Sequence, residues 1–270
     1  MNEIGLFFDN ISNNNGPGKV AGNLVKGLHM LGVNVKINEH TIVNGCLQVC
    51  SAYDSLPDYT LVGPNIFVEP TKNDLRFLHH VVPGQWVKPY YYSYPELKHI
   101  TIDIWPVGID TDIFNVTKNI TQDCFIYFKN RSNYDLEVLK ELLNKRGLKY
   151  SVLEYGKYNE KQLLETCTAS NFCILLTGTE SQGIAYMEIL SCNVPCLVFN
   201  MPQWIYGRHC FPATSVPYFS DQCGFITNTM DGIELFFNNI NQYSPREYIL
   251  SNHTLIDGAN NYLNILEKYL

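Results

Sequence analysis

Short apolar runs alternate with amphipathic stretches along the whole chain. Residues 4–8 are apolar and end in Asp9-Asn10, which predicts a strand followed by a loop. Residues 19–31 carry Val20, Leu24, Leu28 and Leu31 at helical spacing, and Gly32 stops that helix. Strands are predicted at 33–37, 46–50, 59–62 and 66–68, while 75–80 is ambiguous. Val81-Val82 leads into a Pro83-Gly84-Gln85-Trp86 turn, with a helix expected after it, and 101–105 alternates as a strand. Residues 106–119 are turn-rich and read as a linker.

A second alternation follows. Strands are predicted at 125–128, 150–153, 172–176 and 195–199, and helices at 136–146, 160–167 and 183–191. Residues 255–269 form an amphipathic helix that can pack back on the first block. The expected fold class is therefore α/β, with two Rossmann-like, doubly wound domains over 1–114 and 115–270. Ligands of such sheets bind beyond the carboxyl ends of the strands, so a cleft between the halves is the expected site.

Composition narrows the functions. A length of 270 residues suits about two domains, and 46% hydrophobic against 17% charged residues suits a packed core. The net charge is −7, with no long basic run, so nucleic acid is not an expected partner. A local basic pocket for a phosphate stays compatible with that charge. Nine cysteines cannot all pair, no CxxC occurs, and several thiols sit in apolar runs, which points to a reducing, cytoplasmic setting. No apolar stretch approaches 18 residues and no leader-like segment opens the chain. No transmembrane segment is expected, and peripheral membrane contact stays open. Asn-Val-Thr at 115–117 and Asn-His-Thr at 252–254 read as chance matches to glycosylation acceptors in a cytosolic chain.

Two segments carry candidate chemistry. Gly16-Pro17-Gly18-Lys19-Val20-Ala21 fits a dinucleotide fingerprint variant, with Glu39 about 20 residues on. The intervening 10–15 make the loop too long for that fingerprint, and Val20 stands where a P-loop needs Ser or Thr. What remains is a glycine-rich loop whose amides can approach a phosphate or sugar, or a simple turn leading into a helix. In the second segment an apolar strand ends at Leu176, a loop carries Glu180, Gly183 opens a helix, and Glu188 lies in its second turn. Both carboxylates can face a ligand whose phosphates rest on the amides of Gly183 and Ile184. Carboxylates suit sugar and ribose hydroxyls. By spacing alone, two solvated acids would fit as well.

The stretch from Thr177 to Val198 resembles the E-x7-E signature of retaining GT-B glycosyltransferases, in particular glycosyltransferase family 4. Ser181-Gln182 stands for the usual Gly-Phe, and Asn193 stands for a Gly where a left-handed backbone is needed. The 16–24 loop and helix, Val82-Pro83-Gly84-Gln85-Trp86-Val87, and Pro106-Val107-Gly108-Ile109-Asp110 through Phe114 also resemble segments of that family. The first domain is short for this fold.

The resemblance implies transfer of a sugar, with retention and without a metal, from a nucleotide diphosphate sugar to a glycan or other hydroxyl acceptor. No cofactor is implied beyond that donor substrate. The second domain would bind the donor and the first the acceptor. Lys129 and Arg131, which follow the 125–128 strand, would grip the diphosphate, unless they are solvated loop cations. Glu180 would hold the donor sugar and Glu188 the ribose, with Gly183, Ile184, Gly16 and Gly18 supplying amides. Asp110-Thr111-Asp112 lies in the linker and is not expected to hold a metal. His79 and His80 carry no assignable role, and Trp86, Tyr90, Tyr91 and Tyr92 fit an acceptor platform or core equally. Two other functions fit the same fold: a sugar-nucleotide epimerase, and a non-catalytic binder of nucleotide sugars or glycans.

Overall fold

The computed structural model describes residues 1–9, 16–47, 50–64 and 74–269. The chain forms two compact units, Met1–Gly108 with His253–Leu270, and Ile109–Asn252.

In the first unit, β1 (Glu3–Phe7), β2 (Asn34–Ile37), β3 (Asn44–Cys46), β4 (Leu61–Val62), β5 (His79–Val82) and β6 (Thr101–Ile104) make one parallel sheet. Its order is β2-β1-β3-β4-β5-β6. Helix α1 (Gly16–Met30) buries Val20, Ala21, Leu24 and Leu28, the spacing that predicts it. A short α2 (Val87–Tyr92) follows the Pro83 turn. The tail helix, numbered α8 (Leu255–Glu267), lies against α1. Gly27 makes that approach possible, because a Cβ there would run into the Leu255 carbonyl. The indole N–H of Trp105 donates to the Gly258 carbonyl at 2.8 Å, and Asn23 donates to the Gly108 carbonyl at 2.8 Å. The ambiguous 75–80 stretch divides into a single 3-10 turn over Asp74–Arg76 and the start of β5. The strand expected at 66–68 lies outside the described residues, as does the 10–15 stretch that leads into the glycine cluster.

The second unit is built on β7 (Gln122–Lys129), β8 (Tyr150–Glu154), β9 (Ser170–Thr177), β10 (Cys196–Phe199) and β13 (Gly224–Thr227), all parallel. The order is β13-β10-β9-β7-β8. One face carries Phe125, Tyr127, Cys173, Leu175 and Val198, packed with residues of α4 (Glu160–Ala169), α5 (Ile184–Ser191) and α7 (Pro245–Asn252). The other carries Cys124, Ile126, Phe128, Ile174 and Leu197 under α3 (Asn133–Lys145) and α6 (Met230–Asn239). Burial on both faces explains why these strands read as continuous apolar runs. A hairpin, β11 (Gln203–Tyr206) and β12 (His209–Pro212), follows β10.

The change of unit falls at Gly108–Ile109, ahead of the break expected at 114, and again at Asn252–His253. Ile109 and Phe114 are buried in the second core. The Ser191 hydroxyl donates to the Phe114 carbonyl at 2.8 Å. The Arg246 guanidinium donates to the carbonyls of Phe114 at 2.9 Å, Ser191 at 2.6 Å and Thr111 at 3.2 Å. All nine cysteines are free thiols, and only Cys210 is exposed. Among the described residues no helix is long and apolar enough to cross a membrane.

Candidate functional site

In sheets of the order seen in the second unit, the switch point lies between the first and third strands, where loops diverge to opposite faces and leave a crevice. Those strands are β7 and β9. Their last residues, Lys129 and Thr177, are register partners and so lie on the same face.

Beyond them the backbone turns tightly. The Gly178 N–H donates to the Lys129 carbonyl at 2.8 Å. A Cβ on Gly178 would sit 2.9 Å from the Asn130 carbonyl oxygen, and Asn130 itself has a φ of +52°. The next anchor is the Glu180 N–H, which donates to the Thr214 carbonyl at 2.9 Å. These bonds aim the Glu180 carboxylate back at β7, where Lys129 Nζ lies 2.8 Å from Oε1 and 2.9 Å from Oε2. Nζ also stands 4.3 Å from the centre of the Tyr155 ring, a cation–π contact. Burial pushes the Glu180 carboxyl above the usual carboxylate range, and the charge of Lys129 pulls against it.

Helix α5 starts directly after this loop. Its N-cap is Gly183, left-handed at φ +76°, with no side-chain cap bond. The positive end of the helix dipole and its first amides, Ile184 among them, therefore receive no side-chain oxygen from the cap residue. One turn further, Glu188 is buried at 2% exposure. Its charge and that of Glu180 both act on the Tyr158 phenol, which burial chiefly pushes up to about 12. The Tyr158 hydroxyl donates to the Tyr127 hydroxyl at 3.2 Å. The two carboxylates thus share an electrostatic neighbourhood with a tyrosine pair, Tyr127 buried and Tyr158 half-buried. Nothing in the sequence pattern marks Tyr127 or Tyr158, since both positions read simply as aromatic.

Arg131 is engaged differently from Lys129. Its Nε donates to Asp135 at 3.1 Å, and one terminal nitrogen reaches the carbonyls of Phe199 at 3.1 Å and Thr177 at 3.4 Å. The guanidinium ties the β7–α3 turn to the ends of β9 and β10. The Thr177 hydroxyl is buried without a hydrogen-bond partner.

Gly16 and Gly18 belong to the first turn of α1, in the first unit. Asp110 accepts from the Ile113 N–H at 3.1 Å, a local turn. Among the described residues no cluster of three His, Cys, Asp or Glu side chains could hold a metal ion. His80 is buried against the Phe77 carbonyl, 3.1 Å from Nε2, and His79 stacks on Tyr269 with ring centres 3.6 Å apart. Trp86, Tyr90 and Tyr91 are core residues.

No family model matches the sequence, and no curated protein matches it. Solved structures do share its fold. Sucrose-phosphate synthase from Thermosynechococcus elongatus superposes with a TM-score of 0.62 at 10% identity, covering 99% of both chains. The lipopolysaccharide outer core galactosyltransferase WaaB, in its apo form, gives 0.58 at 11% identity over 99% of this chain and 100% of that one. An α-glucosyltransferase in complex with UDP and a 13-mer DNA containing an HMU base gives 0.50 at 10% identity over 98% and 99%. At such identities the likeness is one of fold, and the fold is α/β with two Rossmann-like domains, as in GT-B glycosyltransferases.

Proposed function

We propose that this protein is a glycosyltransferase that moves a sugar from a nucleotide diphosphate sugar to an acceptor hydroxyl, retaining configuration and using no metal. One observation carries the reading. A lysine–glutamate pair stands at the switch point of the second sheet, beside a helix N-terminus whose cap residue, Gly183, offers no side-chain bond.

That arrangement suits the chemistry of the donor. Breaking the bond between the anomeric carbon and the diphosphate builds negative charge on the leaving phosphate. Lys129 and the amides after Gly183, with Ile184, supply fixed positive charge where that happens. Glu180, once released from Lys129, accepts hydrogen bonds from the donor sugar's hydroxyls. Glu188 serves the ribose. The acceptor hydroxyl attacks the face from which the diphosphate leaves and passes its proton to the departing phosphate oxygen. Arg131 acts by bracing the strand ends. The first unit, with the Gly16–Gly18 turn, is read as the acceptor-side domain.

The acceptor is a glycan or another hydroxyl compound. A net charge of −7 supports an acceptor other than nucleic acid, and nine free thiols support a cytoplasmic setting. Calorimetric titration with UDP, GDP and ADP, followed by transfer assays from the matching sugar nucleotides with and without EDTA, tests the reading. Nucleotide binding and EDTA-resistant transfer are expected. Donor isomerisation without transfer would make it an epimerase, and binding without turnover a non-catalytic binder.

A further inference from the structure

The hairpin that follows β10 places four aromatic side chains on one face. Antiparallel pairing sets Trp204 opposite Phe211 and Tyr206 opposite His209. Because side chains alternate along a strand, these four share a side, while Gln203, Ile205, Cys210 and Pro212 share the other. The rings lie near parallel. Trp204 meets Tyr206 at 16° with centres 5.3 Å apart, Trp204 meets Phe211 at 33° and 5.8 Å, and His209 meets Phe211 at 28° and 6.1 Å. The hairpin rings also reach solvent: Tyr206 and His209 are exposed and Trp204 half-buried, over a buried Phe211.

Both legs of the hairpin are fastened to the candidate site. Asn200 Oδ1 accepts from the Thr214 hydroxyl at 2.9 Å and the Ser215 N–H at 2.8 Å. The Ser215 hydroxyl donates to the Thr177 carbonyl at 3.1 Å, and Thr214 holds the Glu180 N–H. From Thr214 back to Phe211 is a span of at most about 10 Å of extended chain, within reach of a second sugar ring.

We propose that this hairpin face is a carbohydrate-binding element that stacks a pyranose ring next to the Glu180 loop. The proposal rests on the glycosyltransferase reading above. A pyranose presents a face of C–H groups and an edge of hydroxyls. The electron-rich faces of Trp204 and Tyr206 attract the slightly positive C–H hydrogens. The Tyr206 hydroxyl, His209 and the exposed Arg208 at the turn supply polar groups for the edge. A nucleobase stacks on such rings too, but the ring-bearing face holds no Asn, Gln, Asp or Glu to pair with its edge, whereas the Tyr206, His209 and Arg208 groups suit hydroxyls, so a pyranose is favoured. A membrane-inserting hairpin would need an apolar tip, and this tip is Gly207-Arg208.

Trp86 and Trp105 are buried and add a constant background, so a ligand-dependent change in emission reports on Trp204. Fluorescence titration would use maltotriose, cellotriose and lactose, with UDP and vesicles of phosphatidylcholine and phosphatidylglycerol as separate arms. Quenching by at least one oligosaccharide is expected, lost in Trp204→Phe and shifted about tenfold to higher concentration in Tyr206→Ala. Calorimetric nucleotide affinity should stay unchanged in both variants, which also shows that they fold. No quenching by any of the three sugars, or an unchanged midpoint in Tyr206→Ala, overturns the proposal. So does quenching by UDP alone, which would make the face a base platform, or a response to vesicles alone, which would make it a membrane contact. If the wild type binds an oligosaccharide but no nucleotide, the donor reading fails and the stacking site stands.

Discussion

Lys129 and Glu180 lie 51 residues apart in sequence and close an ion pair through both carboxylate oxygens, at 2.8 and 2.9 Å. The pair is mostly buried, with 18% and 12% of the two side chains exposed. On the proposed reading each partner occupies the group that a donor would need: the lysine its phosphate, the glutamate its sugar. Under that reading, binding of a donor exchanges one charge-assisted contact for two.

Glu180→Gln should separate those two contacts. The amide releases Lys129, so a free nucleoside diphosphate should bind tighter, by about 1 kcal/mol or roughly fivefold. Turnover of the sugar nucleotide should fall by about 2–4 kcal/mol in barrier. Calorimetry with UDP or GDP, set beside a transfer assay, checks both. Wild-type turnover in the folded variant would reduce Glu180 to a structural partner of Lys129.

Lys129→Ala and Arg131→Ala should fail in different ways. On the proposed reading Lys129 exchanges Glu180 for the diphosphate, so its loss should weaken nucleoside diphosphate binding by roughly 1.5–3 kcal/mol. Arg131 is spent on Asp135 and two strand-end carbonyls, so its loss should cost about 2 kcal/mol of stability and less affinity. Arg131→Lys should not restore it, because one ammonium cannot span three acceptors held by a planar fork. Urea denaturation and nucleotide titration of the three variants distinguish the roles.

Gly183→Ala should damage both fold and site. At φ +76° a side chain is strained by about 1–2 kcal/mol. Its Cβ would also overlap the Tyr186 ring. That ring cannot step aside, since its hydroxyl accepts from the Tyr218 N–H at 2.9 Å and donates to the Tyr218 carbonyl at 3.2 Å. Overpacking adds about 1–3 kcal/mol. A fall in thermal midpoint with weaker nucleotide binding is expected. An unchanged midpoint would mean that α5 can start elsewhere.

His253, where the chain re-enters the first unit, should make stability fall in acid. Burial lowers its pKa from 6.5 to about 4, against the opposing charge of Asp257. Between those values the unfolded chain binds the proton and the folded chain does not. The stabilisation is complete above pH 6.5 and is lost as pH falls through 4, up to roughly 3 kcal/mol. His253→Gln should flatten the difference in urea-unfolding free energy between pH 7 and pH 4.5. An equal slope in both proteins would show that carboxylates alone set it.

Thr177→Val should stabilise the protein. The hydroxyl is buried without a partner, and replacing it by a methyl group removes a desolvation cost of about 1–3 kcal/mol. A lower midpoint in the variant would reveal a bond that the hydroxyl makes in solution.

Local patterns along the chain determined a good deal. Apolar runs divided by helical stretches specify α/β units, because burial on both faces of a parallel sheet leaves no polar alternation. Gly183 marks the start of α5, and Asn193 takes the left-handed φ of +55° that its place after the helix demands. The candidate carboxylates were legible as residues in a loop and on a helix. Tertiary structure decided what they meet. Periodicity tells which side of an element is buried and not which element covers it. So the order β13-β10-β9-β7-β8, which brings Lys129 to Glu180, has no local signature. Nor does the capture of Arg131 by the carbonyls of β9 and β10, or the return of α8 to α1. The hairpin at 203–212 escaped for the same reason. Its aromatic residues look like any apolar run until antiparallel register puts four of them on one face, two of them exposed.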